Sequence, residues 1–135
     1  MTASALAHAA EALAGARFRL HGRNPETGLD CVGVLAAALT AVGHPAPIPN
    51  GYTLRSRSLP WLDMAVVGSG FAPARGPVLP GDVLLARIGP CQLHLLVAAH
   101  RDRFIHAHAG LRRVVLMPGP PPWPILHHWR LAEND

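Results

Sequence analysis

The sequence predicts an α+β domain, with helices in its first half and an antiparallel strand meander in its second. Two Ala/Leu-rich runs, at residues 3–14 and 29–43, carry helical composition. After Pro80-Gly81 the pattern changes to short apolar segments separated by Gly, Pro, Asp and Arg. No internal repeat is present, so the two halves combine as one layer of helices on one sheet.

Residues 3–14 form the first predicted helix, with Gly15 as its stop. His21-Gly22-Arg23-Asn24-Pro25-Glu26-Thr27-Gly28 reads as an ordered loop, because turn-forming residues dominate it. The next segment, residues 29–43, is apolar on every face, which marks a helix enclosed by the domain rather than lying on it. Asp30 suits its N-cap and Gly43 its C′ position, so Cys31 falls in the first turn of a buried helix. Pro45, Pro47, Pro49 and Pro60 forbid a long helix over residues 44–60, leaving a loop long enough to reach over a cleft. Residues 61–67 form a short helix closed by Gly68-Ser69-Gly70. Strands are predicted at 82–88, 92–99, 103–109, 112–117 and 125–131, a sheet of about five, with 118–122 a stiff proline connector.

Composition narrows the function. The 135 residues make a single domain, residues 1–135, and half of them are hydrophobic, which excludes a disordered chain. No apolar run reaches the ~18 residues of a membrane helix, so no membrane span is expected. The start, Met1 to His8, lacks a basic segment followed by an apolar block; the expectation is a protein that is cytoplasmic at synthesis. All 12 basic residues are arginines, dispersed along the chain with Arg112-Arg113 the one adjacent pair, and aromatic residues are only 5%. That is not the basic, aromatic-interleaved stripe of a nucleic-acid binder, and no nucleic acid is expected as partner. Cys31 and Cys91 make neither a disulfide framework nor a zinc spacing.

The chemistry-bearing residues are Cys31 and some of the nine histidines. Free amides and the positive dipole end at a helix start lower a thiol's pKa, while the neighbouring Asp30 opposes this, so a reactive Cys31 needs an imidazolium beside it; the plain alternative is a small core residue. His94 lies in a strand apolar on both faces, where an imidazole needs a partner. It is a candidate general base, or a core histidine satisfied by a carbonyl. His106, twelve residues on, could orient His94 through its second ring nitrogen. The same residues could bind a metal, with His106 and His108 on one strand face and His94 and Cys91 added, but no carboxylate lies close in sequence; neither metal nor cofactor is expected. His100, His127 and His128 read as surface or packing residues.

Five motifs, in order over residues 12–116, resemble the NlpC/P60 cysteine peptidases. Gly28-Leu29-Asp30-Cys31-Val32-Gly33 resembles the family's "G-[FL]-D-C-S-G". Pro80-Gly81-Asp82-Val83-Leu84-Leu85 is similar to "PGDLVF", His94-Leu95-Leu96-Val97 to "HVGIY", and Ile105-His106-Ala107 to "IHA". Upstream, Gly15 to Gly22 is similar to "GxPYxxGG". Two positions depart from the pattern: Val32 stands where the family has Ser, and Phe18 where it has Tyr.

The resemblance implies a papain-like fold in which the nucleophile helix packs on the sheet. Cys31 would be nucleophile, His94 base and His106 orienting residue, with Asp30 and Phe18 on the substrate side. The implied reaction is hydrolysis of bacterial cell-wall stem peptides through a thioester, so a peptidoglycan stem peptide is the expected partner. Short members without a leader resemble phage-tail or gene-transfer-particle peptidases, which implies phage-like tail proteins as partners and delivery by the particle to the periplasm or cell wall. Two other functions fit the same residues: an amidase or acyltransferase using the Cys–His pair, and a non-catalytic particle-assembly protein.

The triad sets a condition on strand register. A two-residue turn at Arg101-Asp102 would put Val97 opposite His106 and leave His94 on the other face, roughly 10 Å along at ~3.3 Å per residue. The two strands must therefore be joined by something other than a regular two-residue hairpin.

Overall fold

The computed structural model describes residues 2–44, 48–49, 52–53 and 59–132. Most of the proline-punctuated stretch, and with it the expectation of a loop over a cleft, lies outside the described residues.

Helix α1 spans Ala3–Glu11, and its Thr2 N-cap accepts a hydrogen bond from the Ala5 amide. It is shorter than the composition implied. Leu13 and Ala14 donate three residues back, to Ala10 and Glu11, tightening the chain into turns before Gly15 at φ +93°. The expected loop at 21–28 contains a small ribbon, β1 (Arg23–Asn24) against β2 (Gly28–Leu29). Helix α2 spans Cys31–Ala41, starting on the Asp30 cap, and Gly43 takes a left-handed φ of +73° just beyond its end. Helix α3 spans Pro60–Gly68 with Pro60 in its first turn, where a missing N–H costs nothing.

Among the described residues the sheet has six strands, one more than the about five expected: β3 (Phe71–Pro73), β4 (Val83–Gly89), β5 (Gln92–Ala98), β6 (Arg103–His108), β7 (Arg113–Pro118) and β8 (Ile125–Leu131). They lie in the order β3-β8-β4-β5-β6-β7, all neighbours antiparallel. The unexpected strand, β3, is three residues long, ends in Pro73 and sits on an edge, the one place where proline's missing donor is tolerated. The other five strands begin and end within a residue or two of their predicted bounds.

Both sheet faces are covered, which is why β4 and β5 read as continuous apolar runs. Val83, Leu85, Leu95, Val97 and Ile105 meet Leu6, Leu35 and Leu39 of the helices in the main core. On the opposite face Leu84, Ala86, Leu96, Ala98 and Phe104 form a second cluster closed by Ile88, Met117 and Trp123. Asp82 is fully buried at the entrance to β4, and its carboxylate accepts from Arg130 Nε and Nη2 (2.9 Å each), His128 Nε2 (2.6 Å) and the Leu79 amide (2.9 Å). That cluster ties β8 to β4, and His128, read from the sequence as a surface or packing residue, takes part through its bond to Asp82.

The β5–β6 connection meets the register condition. Val97 pairs with Ile105 and Ala98 with Phe104, and the Ala99 amide donates to the Arg103 carbonyl, leaving His100-Arg101-Asp102 as a three-residue turn. Arg101 and Asp102 both adopt left-handed φ, +63° and +56°. The one extra residue moves His106 onto the same face as His94.

Candidate active site in a split of the sheet

β5 and β6 pair at only two positions before they separate. Helix α2 packs on both strands, so its first turn arrives where the sheet opens. A cavity of about 550 Å³ occupies this split. Its lining comes from both faces: Leu93 and Ala107 from the helix side, Ile88, His94, His106 and Trp123 from the other, and Cys31 at the start of α2. Asp30 and Phe18 line the same cavity, so all five residues singled out in the sequence are gathered there.

Cys31 is the first residue of α2 and only 2% exposed. The amide of Leu95, at a level where β6 no longer pairs with β5, faces the sulfur together with the amides of Val32 and Cys31 itself, and all three favour a thiolate. Burial outweighs them. Together with the charge on Asp30 it pushes the Cys31 thiol up to about 12, opposite to the lowering expected of a helix start.

His94 and His106 meet edge to face, with ring centroids 4.3 Å apart and planes at 70°. Trp123 stands edge-on to His106 at 5.3 Å, and His108 lies 5.2 Å away on the other side. Burial, and then the proximity of His106 and His108, holds His94 down at about 3; burial and His108 hold His106 at about 4. Both imidazoles are therefore neutral at pH 7, and the resting site is a protonated thiol with two neutral rings. His94 Nε2 and His106 Nδ1 are buried without a hydrogen-bond partner, two atoms able to accept or pass a proton when a ligand rearranges the rings.

Asp30 joins the helix start to its surroundings. Oδ1 accepts from the Gly33 amide (2.8 Å), while Oδ2 accepts from the His21 amide (2.9 Å) and the Tyr52 hydroxyl (2.5 Å). Tyr52 escaped the sequence reading. Its ring stacks on Trp61 at 4.9 Å, its carbonyl accepts from His21 Nε2, and burial and the Asp30 carboxylate raise its own pKa. It lines the cavity with Phe18 and brings a phenolic hydroxyl to a wall where the Phe18 ring carries none. The available signal was that Tyr52 is the chain's single tyrosine.

The alternative use of these histidines as metal ligands finds no support in their arrangement. Cys91 is exposed in the β4–β5 turn, and among the described residues the one His/Cys/Asp/Glu group with converging ligand atoms is His8, Glu11 and His100.

Neither the protein-family models nor the sequences of curated proteins match this chain. Solved structures do match. NlpC1 from Trichomonas vaginalis superposes with a TM-score of 0.70 at 17% identity, over 95% of this chain and 43% of its own. NlpC2 from the same organism gives 0.69 at 15% identity, over 98% and 48%. The NlpC/P60 domain of the peptidoglycan hydrolase SagA gives 0.60 at 20% identity, over 87% and 90%. This chain has the NlpC/P60 fold.

The chain spans less than half the length of the two Trichomonas proteins but nearly the whole of the SagA domain. In NlpC/P60-fold terms the helix that opens on Cys31 and the sheet that carries His94 and His106 are the two halves of an α+β, papain-like domain.

Proposed function

We propose that this chain is an NlpC/P60 cysteine hydrolase that cleaves peptide bonds in bacterial cell-wall stem peptides. The observation that carries the proposal is the cavity in the sheet split, which gathers Cys31 at a helix start with two buried, unpartnered imidazoles. The SagA domain, from a peptidoglycan hydrolase, supports the substrate class.

In this mechanism Cys31 Sγ attacks the scissile carbonyl carbon while its proton passes to His94. Because the thiol is held high and the imidazole low, transfer and attack are coupled rather than stored as a resting ion pair. The carbonyl oxygen gains negative charge against the amides at the start of α2, including that of Cys31. His94 then gives the proton to the departing amine, leaving a thioester. A water molecule, deprotonated by His94, attacks the thioester carbon and releases the carboxylic acid and the free thiol. His106 orients His94 through the ring contact. Asp30 and Phe18 face the substrate, whose amine competes with the Tyr52 hydroxyl for Asp30 Oδ2.

Incubation with purified muropeptides, followed by mass spectrometry, tests this. New amine and carboxylate termini are expected with the wild type and none with Cys31→Ala. Equal fragments from both proteins would overturn it, and an acyl group passed from Cys31 to an added amine would assign acyl transfer instead.

A further inference from the structure

We propose that His8, Glu11 and His100 form a binding site for a divalent transition-metal ion of the zinc type, tying α1 to the β5–β6 turn. The site is separate from the cavity: none of its residues lines that space. His8 and Glu11 stand three residues apart on one face of α1, and His100 opens the turn after β5. One ligand atom from each lies within 4.8 Å of the others. Each histidine stands at a coordination-edge distance from one oxygen of the carboxylate: His8 Nδ1 is 3.5 Å from Glu11 Oε1, and His100 Nδ1 is 3.0 Å from Glu11 Oε2. Ligands at ~2.0–2.2 Å from a four- to six-coordinate ion stand roughly 3.0–3.5 Å apart.

The surroundings fit as well. The Ser4 hydroxyl lies 3.0 Å from His100 Nε2, the ring nitrogen that does not face Glu11. Glu11 Oε2 accepts from the His100 amide (2.8 Å) and stands 3.0 Å from His100 Nδ1; a bound ion takes the place of the Nδ1 proton while Nε2–H donates to the Ser4 oxygen, the outer-sphere arrangement of ligating histidines. The His8 and His100 rings stack with centroids 4.1 Å apart and planes 29° from parallel, which leaves both rings beside the same carboxylate. Two imidazoles and one carboxylate favour zinc, cobalt, nickel or copper over calcium or magnesium, which prefer oxygen alone. Three protein ligands leave the remaining positions to water. His8 is 69% exposed, so an ion reaches the site without disturbing the fold.

The occupant matters because the turn beginning at His100 sets the register that puts His94 and His106 on one face. Zinc or cobalt alone is the probe, so the outcome is independent of whether the cavity hydrolyses anything. Calorimetry with Zn²⁺ should show one equivalent bound, weakened at least tenfold by His8→Ala and unchanged by His106→Ala. At a hundredfold excess over its dissociation constant, Zn²⁺ should raise the thermal midpoint of the wild type by roughly 10 °C. The Co²⁺ spectrum should carry no sulfur charge-transfer band. Absence of saturable binding below about 1 mM would overturn the proposal, as 1 mM is the weak end of useful affinity. So would equal affinity in His8→Ala, loss of binding in His106→Ala, or a sulfur band that places the ion on Cys31 or Cys91.

Discussion

At the scale of single residues, the site works against its own resting charges. A buried thiol beside a carboxylate and two buried imidazoles beside each other all favour the neutral form. A helix start lowers a thiol's pKa and Asp30 was expected to oppose this; in the folded protein burial and the Asp30 charge outweigh the helix start. Cys31 in the free protein should therefore react with iodoacetamide more slowly than exposed Cys91 at pH 7–8, and gain rate only above pH ~10. Peptide mapping after timed alkylation reads both thiols in one sample. Faster modification of Cys31 at pH 6 would mean that the ion pair exists before substrate arrives.

At the scale of elements, the start of α2 depends on two glycines meeting backbone to backbone. A Cβ on Gly33 would stand 1.9 Å from the Gly22 carbonyl oxygen, and one on Gly22 would stand 2.1 Å from the carbonyl oxygen of Gly28. Gly33→Ala should thus lower stability by more than ~2 kcal/mol in urea denaturation, although alanine is the better helix former by about 1 kcal/mol. A stabilised variant would show that the loop yields freely. The entrance to β4 makes the companion case. Asp82→Asn removes the carboxylate charge that Arg130 and His128 share; because Arg130 is part-exposed, the loss should be about 1.5–3 kcal/mol, read as a fall in the urea midpoint. The elements themselves were largely legible: the Asp30 cap, the continuous apolarity of α2 and the Gly/Pro punctuation after residue 80 are local signals. The ribbon at β1–β2 and the edge strand β3 were not, since pairs and triplets of residues carry no period.

At the scale of the whole molecule, the buried histidines link stability to pH. Below about 6.5 the unfolded chain binds protons that His94 and His106 refuse while folded, with values of about 3 and about 4. Stability should be full above pH ~6.5 and fall as pH drops towards 4, with His94 alone accounting for on the order of 3 kcal/mol. Asp82 does not contribute in that window: burial raises its pKa, but its bonds to Arg130, Leu79 and His128 outweigh this and hold it below the ordinary carboxylate range, so its contribution persists until lower pH. Urea midpoints at pH 7 and pH 4.5 should differ for the wild type and differ less for His94→Gln. A pH-independent wild type would show that the rings are solvated or paired in solution.

The sequence by itself determined the layer order, the buried helix α2 with Asp30 as its cap, and the residues proposed to carry the chemistry, because caps, turns and apolar periodicity act over a few neighbours. Only the tertiary structure decided how those residues meet. One residue in the β5–β6 turn chose the face of His106, the parting of β5 from β6 opened the space that Cys31 shares with His94, and burial set the protonation of all three. Tyr52 reached Asp30 across 22 positions by the same route. Register, strand divergence and desolvation are sums over distant contacts, and no window of sequence contains them.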